Sequence, residues 1–330
     1  MRFHPFHTLG SKKNIIVDGA AQENSVLVLS HWPASPTPDA WLRDTSAEIV
    51  LDYLETEDIP SGVEYVSNNH FDEDGLLGIS ALIDPEFART HRDGIIDAAT
   101  AGDFGRYRER DSARVNFTIT KLVSEVPEYA DFNKRTARTY EALLPMVPRL
   151  IDNIDQFENA WCDEDRFLTE CERWIDQGLV TIEEHEKYDL AIVTISADIS
   201  VRHPNKFASE TEGPLHKMSV YNRTNRARVL FQHGPQYWFR YRYESWVKFV
   251  TERHPFRVDL TPLCSELNKL EQEGARWVYD GSSNITPVMR TVDAMSSSLD
   301  LDTLLDRLCK RLDEGDVDWN PYEATDSGHG

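Results

Sequence analysis

Residues 63–83 read VEYVSNNHFDEDGLLGISALI, and the groups best able to do chemistry lie at the centre of that run: His70, Asp72, Glu73 and Asp74, closed by Gly75. An imidazole and carboxylates in alternation suit a divalent cation that prefers oxygen and nitrogen donors. Gly75 permits a tight turn beside them. Asp-rich loops also cap helices, so Asp72 or Asp74 could instead be the N-cap of a helix starting near Gly75.

The flanking residues say what must position this HxDxDG motif. Val63, Tyr65 and Val66 lead into it, and Leu76, Leu77, Ile79, Leu82 and Ile83 follow at helical spacing, which predicts strand, loop, helix. Such a layout places the motif at a strand's carboxyl end, where open α/β sheets bind their ligands. Two further apolar runs end in a candidate ligand: Ser25-Val26-Leu27-Val28-Leu29-Ser30 before His31, and Leu190-Ala191-Ile192-Val193-Thr194-Ile195 before Ser196-Ala197-Asp198. If the three strands are parallel neighbours, His31, His70, Asp72, Asp74 and Asp198 converge on one sheet edge, with Asp103 where the chain should return. These six are the candidate metal ligands. A cluster of this kind can hold two metals, clamp a phosphoester and activate a water.

His70, Asp103 and His203 (the last just beyond the third strand end) are the candidate catalytic groups. Anchoring a phosphate falls naturally to arginine, whose planar fork matches oxyanions. Arg106 beside the GDFG turn and Arg226 in an Asn-rich turn are the candidates. Ser283 lies in the small-polar loop Asp280-Gly281-Ser282-Ser283-Asn284-Ile285-Thr286-Pro287, whose backbone amides could cradle an anion. No GxxxxGK[ST], GxGxxG or GxSxG signature occurs, so nucleoside triphosphatase, dinucleotide-binding and serine hydrolase readings lack their motifs.

Elsewhere the pattern predicts an α/β protein: a parallel-sheet core, a central helical block and a smaller α+β C-terminal region. Residues 1–24 read as irregular. A helix over 44–57 has Asp44, Thr45 or Ser46 as its cap. Leu143, Leu144, Val147, Leu150, Ile151, Ile154, Phe157 and Trp161 form a core-facing stripe, and Pro145 and Pro148 kink or restart that helix. Residues 218–221 and 228–232 look β-like, and 237–243 alternate aromatics with arginines as in a half-buried strand. Helices at 261–273 and 299–313 flank a short strand at 275–279. The resulting domains are 1–205, α/β with a helical insertion over about 111–186; 206–312, α+β; and 313–330, a flexible acidic tail.

With 57 acidic against 35 basic residues, the net charge of the 330-residue chain is −22. That field repels long nucleic acids, while a bound cation would still admit a small phosphorylated substrate. No apolar run approaches the roughly 20 residues a membrane span needs. MRFHPFHTLGSKK lacks the apolar core of a secretory signal, and the four cysteines show no CxxC spacing, so a cytoplasmic address is expected. Oligomeric state is not specified.

NNHFDEDG resembles the first motif of the DHH phosphoesterase superfamily. The resemblance implies that Asp72 and Asp74 ligate manganese or magnesium, with His70 a ligand or its close support. It covers about twenty residues, and the Asp-His-His tripeptide and the GGGH-like segment of those enzymes are missing. Over more of the length, SHWPASPTP, VSNNHFDEDG and AATAGDFG are similar to a bacterial family without an assigned function. The expectation is a metal-dependent hydrolase, phosphoesterase-like, acting on a small phosphorylated substrate or short nucleotide. The alternative is a non-catalytic metal- or ligand-binding protein that keeps the first motif.

Overall fold

Asn14-Ile15-Ile16-Val17 is too short to display a period, yet it forms an inner strand of the first sheet. The structure is a computed structural model and describes residues 1–57, 59–200 and 211–324. Strands β1 (Arg2–Phe3), β2 (Asn14–Val17), β3 (Ser25–Leu29) and β4 (Tyr65–Ser67) are all parallel, in the order β1-β4-β2-β3. Ile15 and Val17 join Leu29 and Val66 in the main core, while Ile16 packs with Leu9 and Val28 in a second cluster. Burial of both faces explains why β2 lacks polar alternation. The irregular N-terminus expected from the sequence is therefore corrected.

Helices α1 (Ser46–Thr56), α2 (Glu73–Ile83), α3 (Pro85–Thr90) and α4 (Arg92–Phe104) supply apolar residues to that main core. Thr45 caps α1, its Oγ1 accepting from the Glu48 amide at 3.2 Å. The central helical block follows as α5 (Arg110–Glu125), α6 (Phe132–Leu143), α7 (Val147–Asp152) and α8 (Glu158–Asp176). Its stripe is core as expected: Leu143, Val147, Leu150, Ile154 and Trp161 are all buried. Pro148 stands in the first turn of α7, where a missing N–H breaks no helical bond. The block ends at Asp176 rather than 186.

A second sheet takes the chain from there. It begins with β5 (Val180–His185) and β6 (Leu190–Ile195), after which the chain forms a separate two-stranded ribbon of β7 (Thr211–Glu212) and β8 (Leu215–His216) and helix α9 (Lys217–Tyr221). It is completed by β9 (Arg228–His233), β10 (Gln236–Tyr241) and, after β11 (Arg257–Val258) and α10 (Thr261–Leu270), by β12 (Trp277–Tyr279) and β13 (Val288–Thr291). The order is β12-β13-β10-β9-β6-β5, and β6–β9 is its parallel pair. The expectation that 190–195 lies beside the other two ligand-bearing strands is thus overturned. A tight turn through Asp189, at φ 48°, folds β6 back on β5 as a hairpin and commits both to this sheet. A division at 205 would cut the sheet.

Residues 218–221 belong to α9 instead of a strand; the His216 side chain caps it, Nδ1 accepting from the Met218 amide at 3.1 Å. After α11 (Leu301–Glu314), strand β14 (Val317–Trp319) pairs with β11, and Trp319 stacks on Trp246 with ring centroids 5.9 Å apart. The start of the acidic tail is therefore built into the fold. Among the described residues no helix is long and apolar enough to cross a membrane.

Candidate metal centre

Three adjacent parallel strands, β4, β2 and β3, deliver side chains to their carboxyl edge. β2 ends just before Asp18, which sits at φ 51°, a left-handed geometry that Asp tolerates better than most residues. A Cβ on the following Gly19 would lie 2.3 Å from the Asn69 Oδ1, so only glycine lets these two loops meet. β3 ends before His31, and β4 before His70 and Asp72.

Asp18 is the residue that links the groups. Its Oδ1 lies 3.4 Å from the His31 Nε2 and its Oδ2 3.3 Å from the His70 Nε2. His31 Nε2 also faces the Asp103 Oδ2 at 3.6 Å and the Asp74 Oδ2 at 3.9 Å. His70 Nε2 reaches the Asp72 Oδ2 at 2.7 Å. Two groups able to hold a metal ion result, Asp18-His70-Asp72 and Asp18-His31-Asp74, and Asp18 belongs to both.

The donor set fits a cation. His31 is fully buried, and its Nδ1 contacts the Asp44 backbone carbonyl, which can only accept. Nδ1 therefore carries a hydrogen, which leaves Nε2 as the nitrogen turned towards the carboxylates, the orientation that metal-bound histidines use. Asp18 Oδ2 and Asp103 Oδ2 are buried and accept no hydrogen bond. Carboxylates gathered out of water repel one another unless a cation or protons intervene.

Proton affinities follow that physics. Burial, reinforced by neighbouring carboxylates, holds Asp74 and Asp103 well above the usual carboxylate range, and burial with Asp72 raises Asp18. Burial also opposes the charged states of the His70–Asp72 pair, but their mutual attraction prevails. It pushes His70 up to about 10 and holds Asp72 below its ordinary value.

Capping and ligand readings of the motif are both realised, on different atoms. Asp72 Oδ1 caps α2 by accepting from the Gly75 amide at 2.8 Å, while its Oδ2 faces His70. Asp74 serves another helix: its two oxygens accept from the Ser46 and Ala47 amides, at 2.6 and 2.7 Å, at the start of α1. Gly75 is needed for space rather than for a turn, since a Cβ there would lie 2.4 Å from the Asn68 Nδ2.

The structure thus brings together His31, His70, Asp72, Asp74 and Asp103. Asp198 is not with them: it is exposed in the turn after β6, its amide bonded to the Ser196 Oγ. Arg106 is carried off by Gly105, whose φ of 63° ends α4, and it borders a separate cavity of about 460 Å³ with Asp44 and Tyr107. Arg226 is occupied by Glu184 at 2.9 Å on the second sheet. His203 lies outside the described residues. Ser283 lines a cavity of about 1050 Å³ that also has His70, Asp72 and Asp103 in its wall.

Sequence reasoning missed Asp18. The available signal was Ile15-Ile16-Val17 followed by Asp-Gly, the same apolar run ending in an acid that marked the other strands. It also missed Tyr243, whose hydroxyl is 3.3 Å from the His31 Nε2 and is driven well above its ordinary pKa by burial and by Asp103.

Fold and centre together define an α/β protein with a buried Asp/His cluster at the carboxyl edge of a parallel sheet. The family model described as "Family of unknown function (DUF6687)" matches residues 1–323, and the chain belongs to that family. Comparison with curated proteins and with solved structures gave no match.

Proposed function

We propose that this protein is a divalent-metal-dependent hydrolase of a small phosphorylated substrate, with Mn²⁺ or Mg²⁺ as its metal. The observation that carries the reading is the sharing of Asp18, whose two oxygens face different ligand groups. One position would be held by Asp18, His31 and Asp74 with Asp103 beside them, the other by Asp18, His70 and Asp72. Hard cations bound by carboxylates and imidazole lower the pKa of water and polarise phosphoryl oxygens.

The protein's own contributions are separable from that chemistry. Asp44 fixes the His31 orientation, α1 and α2 fix the Asp74 and Asp72 carboxylates, and Tyr243 offers a hydroxyl beside His31. Pre-set ligands of this kind need no rearrangement when the cation arrives.

The test is elemental analysis of protein equilibrated with Mn²⁺ or Mg²⁺, alongside hydrolysis of a phosphoester panel. Wild type should hold stoichiometric metal and turn over at least one ester, and Asp18→Asn should lose both. Metal without turnover would favour the non-catalytic metal-binding alternative. Absence of metal would end the hydrolase reading.

A further inference from the structure

The wall of the large cavity facing the metal centre narrows the substrate class, an inference that rests on the proposed hydrolase reading. We propose that the substrate is a phosphoester with a single phosphorus, carried by a flat, uncharged organic alcohol such as an aryl alcohol, rather than a polyphosphate or an oligonucleotide.

Charge is the first argument. Among the described residues lining the cavity, Lys217 is the only lysine or arginine, and its Nζ lies 3.4 Å from the Gly102 carbonyl. One phosphoryl group at the metals would be neutralised there. A second would find no guanidinium among the described lining residues, whereas sites for polyphosphates use arginine forks.

An arginine behind the cavity wall is spent elsewhere. Arg257 is fully buried behind the loop over residues 280–287, and its five N–H donors go to the Ser245 hydroxyl and to the carbonyls of Arg242, Ser282, Asn284 and Ile285. It shapes the cavity wall and offers no donor to a ligand.

Shape and polarity are the second argument. About 1050 Å³ is far more than a phosphate fills and matches the upper range of small-molecule sites. Aromatic residues stand next to the reacting end. Trp32 lies against His70 with centroids 4.8 Å apart, and Tyr243 and Trp246 stack at 5.8 Å. At the rim, Phe132 and Ile285 stay exposed at 62% and 49%, both lining the cavity. The neutral side chains of Asn133, Ser283 and Thr286 complete this side. Flat apolar groups gain most from such walls.

In the reaction, a water oxygen bonds to phosphorus as the phosphorus–oxygen bond to the alcohol breaks. The departing alkoxide takes up a proton that the water gave up, so inorganic phosphate and the free alcohol are the products of a monoester.

The experiment uses the full chain loaded with Mn²⁺. Turnover of 1-naphthyl phosphate is compared with that of pyrophosphate, ATP and a trinucleotide, and binding of each is followed by quenching of tryptophan fluorescence. A kcat/KM at least ten-fold higher for 1-naphthyl phosphate is expected. Ile285→Arg, at an exposed position, should narrow that ratio at least five-fold by giving a second phosphate its missing partner. Preference for pyrophosphate, ATP or the trinucleotide overturns the substrate class while leaving hydrolysis intact. Selective quenching by 1-naphthyl phosphate without turnover keeps the ligand class and removes the hydrolase reading. Neither quenching nor turnover with it overturns both.

Discussion

Two buried charged regions of this protein solve the same electrostatic problem in opposite ways. Behind the 280–287 loop, Arg257 finds an acceptor for every N–H, so its charge is spread over carbonyl dipoles and a hydroxyl. At the edge of the first sheet, Asp18, Asp74 and Asp103 face one another around His31, and two of their oxygens accept nothing. The first arrangement is complete without help, as structural charges must be. The second is left incomplete by the protein itself, which is the mark of a site that expects a ligand. Both are equally buried, so burial alone would not have separated them.

The sharpest way to break this contrast is to remove its completed side. Arg257→Met should destabilise the protein by about 3–5 kcal/mol, the range for deleting one side of a buried charged network. Urea unfolding measures it, and a loss below about 1 kcal/mol would mean that those carbonyls find other donors.

On the incomplete side, Asp18→Asn should weaken Mn²⁺ binding on the order of 100-fold or more, because both ligand groups lose a shared anion. Titration calorimetry reads this directly. Retained affinity would show that Asp18 is merely the acceptor of the Ser46 hydroxyl.

Protonation should sharpen the comparison next. Folded-state proton affinities are raised for Asp18, Asp74 and Asp103, and for His70 to about 10. Above the ordinary carboxylate range the folded state therefore holds more protons than the unfolded chain, and stability falls as pH rises. His70 contributes fully below about 6.5 and is lost through about 10, the same direction. Asp72, whose affinity is lowered, is already ionised in both states over this window. In metal-free protein, Tm should fall steadily from pH 5 to pH 9, and Mn²⁺ should flatten or reverse the slope, since metal replaces protons at the ligands. A flat metal-free profile would contradict the crowding of carboxylates. By the same logic, Asp103→Asn should stabilise the metal-free protein by roughly 1–2 kcal/mol at neutral pH, the stability–function trade-off expected at a functional site.

The smallest effect belongs to Asp198. Exposed in a turn of the other sheet, it should tolerate Asp198→Ala within about 0.5 kcal/mol and with unchanged metal content.

How far the sequence disclosed all this depends on how much of each signal was local. The strand-loop-helix around His70 was readable because an apolar run, an acid-rich knot and a helical period follow one another within about twenty residues. The mixed α/β class followed from such units, and the core stripe from Leu143 to Trp161 from a repeated period. β2 was invisible because four buried residues carry no period. With it went Asp18, and the true order of strands: β3 and β4 are not neighbours but flank β2. The misplacement of Asp198 had the opposite origin. Its strand was legible, but pairing is decided by a hairpin and by β9, distant in sequence. Asp72 illustrates a different limit: cap and ligand were posed as rivals, though a carboxylate has two oxygens and serves both ends.

The grip of Asp74 on the first turn of α1 bears on how this family should be surveyed for retained chemistry. A relative without the proposed chemistry would still need an acid at this position to hold the Ser46 and Ala47 amides. Persistence of the second acid of the HxDxDG motif is therefore poor testimony to activity. Asp103 has no such second duty among the described residues, and its Oδ2 is unclaimed. Selection for folding alone would let it drift, so position 103, outside the motif, is where members with and without the proposed metal chemistry would first diverge.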